Sequence, residues 1–264
     1  MSESRVPGDT RGHPGAPASA GRRVGGLAGR RILVALDVDE RERALTLARE
    51  LRDEVGGFKI GMRLFFRHGP RIVEELAAAD ARLFLDLKLH DIPETVAQGV
   101  RALAGLGAHI INVHAAGGLA MMRAAAEAAH AEAAQAGVPV PKLVAVTVLT
   151  SLEQENLSRE LGFGKNLEQV VLAWAGLAKA AGLDGVVSSP LELTTLRTAL
   201  GPDFLLITPG IRPAGAELQD QKRVLTPAQA VQAGADYLVI GRPITAAPDP
   251  VAAVQAIARE LAAV

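Results

Sequence analysis

From residue 31 to the C-terminus, eight short apolar or β-branched runs alternate with stretches rich in Ala, Leu, Glu and Arg. No other feature limits the fold as strongly. The expected strands are Ile32–Leu36, Gly57–Ile60, Leu83–Leu87, Ile110–His114, Leu143–Val148, Gly185–Ser188, Phe204–Thr208 and Tyr237–Ile240. Helical patterns lie between and after them, near 40–54, 65–78, 93–106, 117–136, 166–181, 190–199, 226–234 and 249–262. Each crossover between parallel strands needs a helix, so strict alternation implies a parallel α/β sheet. Eight such units close a single (β/α)8 barrel of the TIM type. The alternative, a doubly wound open sheet, lacks its usual marks: no Gly-x-Gly-x-x-Gly follows the first strand, and the Walker lysine pattern is missing.

The chain's 264 residues, 49% hydrophobic, suit one barrel domain over residues 31–264. A formal net charge of −1 argues against nucleic acid or an anionic membrane surface as the main partner. Without cysteine there are no disulfides, zinc–thiolate sites or thiol nucleophiles. An aromatic content of 3% leaves no stacking platform for single-stranded nucleic acid. No run approaches the length of a membrane span. Residues 1–30, rich in Gly, Pro, Ser and Arg without apolar periodicity, read as a disordered leader. Arg22-Arg23 is not followed by the apolar region of an export signal, so a cytoplasmic protein is expected.

In a barrel of this kind, chemistry sits at the C-terminal ends of the strands and in the loops after them. Polar residues collect at those places: Asp37, Lys59, Asp86, Lys88, His114, Thr147, Thr150, Ser188, Ser189, Thr208, Arg212 and Arg242. The densest stretch is Asp86-Leu87-Lys88-Leu89-His90-Asp91-Ile92-Pro93-Glu94-Thr95. A period of two puts the Asp86 and Lys88 side chains on one face of the third strand, with Asp91 just beyond. Such charges at a half-buried strand end need partners.

The loops after strands seven and eight form the usual anion pocket of this architecture. Gly210 and Gly241 allow close backbone approach there, and Arg212 and Arg242 supply forked cationic donors for a phosphate. Gln221 lies in a polar loop, Gln219–Arg223, suited to a lid. His90 and His114 read as hydrogen-bonded scaffolding, and Met121-Met122 and Phe65-Phe66 as helix packing; His68 has no evident partner.

The element Asp-x-Lys-x-x-Asp-Ile-Pro-x-Thr resembles the signature of the bacterial orotidine 5′-phosphate decarboxylases. Supporting pieces occur in the family's order. They are Ala35-Leu36-Asp37, Phe58-Lys59-Ile60-Gly61, Asn112-Val113-His114-Ala115 and Val148-Leu149-Thr150-Ser151, then Thr208–Pro213, Asp220–Arg223 and Ile240-Gly241-Arg242-Pro243. The resemblance runs from about Arg31 to the C-terminus; Glu94 departs from the Asn usual in the family.

The resemblance implies decarboxylation of orotidine 5′-monophosphate to uridine 5′-monophosphate (UMP) without cofactor or metal. It implies a network of Lys59, Asp86, Lys88 and Asp91, with Lys88 protonating C6 and Asp86 beside the substrate carboxylate. Asp37 and Lys59 would hold ribose and base, and Thr95 and Thr150 would add polar contacts. Arg212, Gln221, Gly241 and Arg242 would grip the phosphate. A homodimer is implied, with Asp91 and Thr95 completing the neighbouring site. Two other readings remain: a metal-dependent sugar-phosphate decarboxylase or aldolase, which would carry a glutamate where Lys59 stands, and a non-catalytic sensor of a phosphorylated ligand.

Overall fold

A computed structural model of the chain describes residues 26–213 and 225–264. Eight parallel strands pair in sequence order and close: β1 (Ile32–Ala35), β2 (Gly57–Gly61), β3 (Leu83–Leu89), β4 (Ile110–His114), β5 (Lys142–Val146), β6 (Gly185–Val187), β7 (Leu205–Thr208) and β8 (Tyr237–Ile240). Closure comes from β1 pairing with β8, Leu33 opposite Val239. The expected eight-unit barrel is the observed fold.

Side-chain alternation builds two cores. Ile32, Val34 and Leu36 join the layer between sheet and helices, together with Phe58 and Ile60 of β2. Leu33 and Ala35 point the other way and pack with Phe84, Ile110, Val144, Ile207 and Val239 inside the barrel. Lys59 stands in register with Ala35 on one side and Phe84 on the other, so it occupies an interior position that an apolar residue would otherwise fill.

The helical layer comprises α1 (Gly26–Gly29), α2 (Arg41–Leu51), α3 (Met62–His68), α4 (Arg71–Ala78), α5 (Pro93–Gly105), α6 (Gly118–Ala136), α7 (Leu167–Ala180), α8 (Leu193–Leu200), α9 (Pro227–Gln232), α10 (Arg242–Thr245) and α11 (Pro250–Ala262). Local chemistry sets several boundaries. Asn166 and Gln169 form a reciprocal capping box on α7, and Thr226 and Gln229 do so on α9. Pro93 and Pro250 start α5 and α11, where a missing N–H costs nothing. Gly137, left-handed at φ 65°, ends α6.

Four details differ from the expectations. The single helix expected over 65–78 is two, because Gly69 takes φ 67° and Pro70 follows. Phe65 packs against the core but Phe66 is 73% exposed, so that pair is not ordinary packing. Residues 26–29, assigned by sequence to the leader, form a short helix that packs against α11. Gly29 is pressed so close to the Glu54 carbonyl that a Cβ would sit 2.2 Å from its oxygen.

The fourth difference concerns β3. Its pairing with β4 runs Leu85 opposite Ile111 and resumes at Leu89 opposite Val113, so residues 86–88 share one partner position, that of Asn112. Within this bulge Lys88 adopts φ 54°, a region that L-residues rarely enter. Simple alternation therefore does not carry Asp86 and Lys88 to the same place; a bulge does.

Candidate active site

The charged residues at the ends of β1, β2 and β3 form a continuous chain. Lys59 Nζ lies 3.0 Å from Asp37 Oδ1 and 3.4 Å from Asp86 Oδ2. Lys88 Nζ lies 2.6 Å from Asp86 Oδ1. The order is carboxylate, ammonium, carboxylate, ammonium, and every neighbour is of opposite sign. The Lys59 side chain is only 9% exposed and that of Asp86 15%, so this is a partly desolvated network rather than a surface cluster. Burial opposes ionisation of Asp86, but the Lys59 and Lys88 charges and hydrogen bonds from Lys88 and Asn112 outweigh it. They hold its carboxyl below the usual aspartate range.

A cavity of about 500 Å³ opens over this network. Asp37, Lys59, Asp86 and Lys88 line it from the β1–β3 side, and Thr150, Ser188, Arg212, Gly241 and Arg242 from the β5–β8 side. Ala35, Phe84, Val146, Val187 and Val239 supply apolar lining between them. Gly210, also on the lining, has φ 79°, which an L side chain would resist. The backbone turns there to bring Arg212 round, and that residue is 9% exposed. Arg242 opens α10 immediately after Gly241. One end of the cavity thus offers two guanidinium groups and the other an alternating Asp/Lys set.

The expected site residues separate into three groups. Asp37, Lys59, Asp86, Lys88, Thr150, Arg212, Gly241 and Arg242 converge on the cavity. Asp91 and Thr95 do not line it: both are exposed, and the Asp91 carboxylate accepts the Ile92 N–H at 2.6 Å. Gln221 lies outside the described residues. His90 and His114 stack with ring centroids 5.2 Å apart, and His114 meets Trp174 edge-on, outside the cavity lining. His68, given no partner by sequence, bonds the Asp39 carbonyl at 2.8 Å.

Sequence reasoning assigned no role to two polar residues here. Asn112, with no exposed surface, bonds both Asp86 and the Lys88 backbone. The available signal was an Asn among apolar residues in the middle of the fourth strand. Ser188, a buried residue of the cavity wall, has an Oγ shielded from solvent and without a hydrogen-bond partner among the described residues. A polar atom in that state awaits a ligand group or water. Among the described residues, no group of three or more His, Asp or Glu side chains is disposed to hold a metal ion.

Comparison with known proteins bears on what this cavity does. Residues 30–257 match the profile of the "Orotidine 5'-phosphate decarboxylase / HUMPS family". The chain is similar to the orotidine 5′-phosphate decarboxylase of Moorella thermoacetica, 53% identical over 231 residues, covering 88% of this chain and 92% of the relative. It is equally similar to that of Syntrophomonas wolfei, 53% identical over 232 residues, covering 88% and 97%. Among solved structures, the orotidine 5′-phosphate decarboxylase of Lactobacillus acidophilus superposes with a TM-score of 0.77 at 42% identity, covering 88% of this chain and 99% of that one. A profile match over the whole barrel, and relatives about half identical along nearly their full length, agree with the residues gathered at its mouth: the chain belongs to the orotidine 5′-phosphate decarboxylase family.

Proposed function

We propose that this enzyme converts orotidine 5′-monophosphate to UMP and CO₂ in pyrimidine biosynthesis, using side chains alone. The observation that carries this reading is Lys59 held between Asp37 and Asp86, with Lys88 on the far side of Asp86. In the reaction the bond from C6 to the carboxylate carbon breaks, CO₂ leaves, and the electron pair stays on C6. A proton then closes the sequence, and Lys88 is its donor. Asp86, kept ionised by the two lysines, faces the substrate carboxylate. The network is held in place before substrate arrives, so little reorganisation is needed as charge moves onto the ring.

The remaining roles are those the family resemblance implies, and the positions of the residues around the cavity support them. Asp37 and Lys59 bind ribose and base, Thr150 offers a hydroxyl, and Arg212 and Arg242 with the Gly241 backbone take the phosphate. Phosphate binding far from C6 orders the site without touching the reacting bond, which is how remote binding energy lowers a barrier. Gln221 is proposed to join the phosphate grip. Asp91 and Thr95, exposed on this chain beside the 67%-exposed Ile92, are proposed to complete the site of a second copy in a homodimer.

The metal-dependent sugar-phosphate reading fits less well. The two carboxylates that could serve a divalent cation, Asp37 and Asp86, are already bridged by the Lys59 ammonium, which repels one. A sensor would not need the intact alternating set. The test is formation of UMP from orotidine 5′-monophosphate by purified protein in excess chelator. Unimpaired turnover is expected; turnover that stops with chelator and returns with Mg²⁺ would replace this reading with the metal-dependent one.

A further inference from the structure

We propose that Asn112 is a positioning residue for the decarboxylation, acting through the two groups it clamps, Asp86 and Lys88. The inference rests on the reading of the site given above. Asn112 Oδ1 accepts the Lys88 backbone N–H at 2.8 Å, and its Nδ2 donates to Asp86 Oδ1 at 2.7 Å. The same Asp86 oxygen takes the Lys88 ammonium at 2.6 Å. The amide can face only one way, because the Lys88 N–H must meet an oxygen and the Asp86 carboxylate must meet a donor.

This contact lies where the sheet itself gives no support. Pairing between β3 and β4 lapses between Leu85 and Leu89, so the Lys88 N–H has no ladder partner and Asn112 takes that part with its side chain. Lys88 there sits at φ 54°, a conformation that persists only where surroundings enforce it. Asn112 has no exposed surface and does not line the cavity, so it touches no substrate. Its effect must pass through the direction of the Lys88 ammonium and the orientation and ionisation of Asp86. The charged groups facing Asp86 are Lys59 from β2, with Asp37 beyond it, and Lys88 from β3; from β4 come Asn112 itself and, next to Lys88, His114.

The test uses Asn112→Ala and the isosteric Asn112→Asp in the full-length protein. Removing the amide donor takes away one of the groups that keep Asp86 ionised, so its carboxyl titrates at higher pH. Asn112→Ala is expected to lower kcat about ten- to a hundredfold, the scale of a small misplacement of reacting groups, with KM within about twofold. Its acid limb should move toward neutral pH. Asn112→Asp preserves shape and the acceptor for Lys88 but sets a second carboxyl against Asp86. It should stay impaired, with a larger displacement of the acid limb. A carbon-13 titration of the Asp86 carboxyl, which needs no turnover, should show the same upward order from wild type to Ala to Asp. Full activity in either variant would overturn the proposal. So would an unmoved Asp86 titration with kcat falling only as far as thermal stability does, because that is the pattern of simple packing. Absence of turnover in the wild type with the Asp86 shifts present would indict the assigned reaction instead.

Discussion

Lys88 carries two burdens in one residue: an ammonium 2.6 Å from Asp86 and a backbone at φ 54°. For an L-residue the left-handed region costs on the order of 1–2 kcal/mol, and only glycine enters it freely. Strain of this kind is maintained by its surroundings, here Asn112 and the β3 bulge, at the position proposed to be catalytic. Lys88→Gly is therefore expected to unfold about 1 kcal/mol later than Lys88→Ala in a denaturant titration, although both have lost the ammonium. Equal stability would mean that the backbone there is unstrained. Arg242 carries a different kind of prediction. Losing one charge-assisted phosphate contact, worth about 1.5–3 kcal/mol, should lower kcat/KM roughly ten- to a hundredfold in Arg242→Ala, with KM raised and kcat reduced as far as the remote binding energy serves the barrier. An unchanged kcat/KM would place the phosphate elsewhere.

Between elements, closeness of approach decides more than composition. Gly185 of β6 lies against β7 so tightly that a Cβ would stand 2.2 Å from the Leu205 carbonyl oxygen and 2.5 Å from its Cβ. Neither atom can swing away. Gly185→Ala should cost at least about 1–3 kcal/mol, read as an earlier denaturant midpoint, because two barrel strands must part. β4 offers a pH-dependent prediction. Burial, and then the charges of His90 and Lys88, hold the His114 ring below its ordinary value near 6.5, and its Nδ1 accepts the Ala116 N–H. As pH falls through 6.5, unfolded chains take up a proton that the folded ring resists, so stability falls. Wild-type melting temperature should then drop more between pH 7 and 5 than that of His114→Gln; parallel curves would show that His114 titrates normally. These element-level facts were unevenly legible in the sequence. Gly69-Pro70 is a break that the amino acids themselves announce. The β3 bulge is not, because register belongs to a pair of strands, and the spacing of Asp86 and Lys88 alone suggested plain alternation.

At the scale of the whole molecule, the ends of seven of the eight strands, all but β4, bring residues more than two hundred positions apart to one cavity, from Asp37 to Arg242. That convergence was readable in advance because barrel topology assigns each strand end to the same face, whatever the loops do. Hence eight of the expected site residues line the one cavity. Asn112 escaped because its contact with the Lys88 N–H depends on a gap in the ladder, and Asp91 and Thr95 are exposed away from the cavity, as the proposed assembly requires. That assembly is testable by mixing inactive Lys88→Ala and Asp91→Ala dimers. Exchange of subunits should restore about a quarter of wild-type activity, since half of the dimers become mixed and each holds one intact site. No recovery after demonstrated exchange would confine Asp91 to its own chain. The central claim, that Lys88 delivers the proton to C6, is met most directly by the turnover of Lys88→Ala at saturating orotidine 5′-monophosphate, with UMP binding measured alongside. A loss of at least about 10²–10⁴-fold with UMP still bound is the predicted result; near wild-type turnover in the folded variant would contradict it.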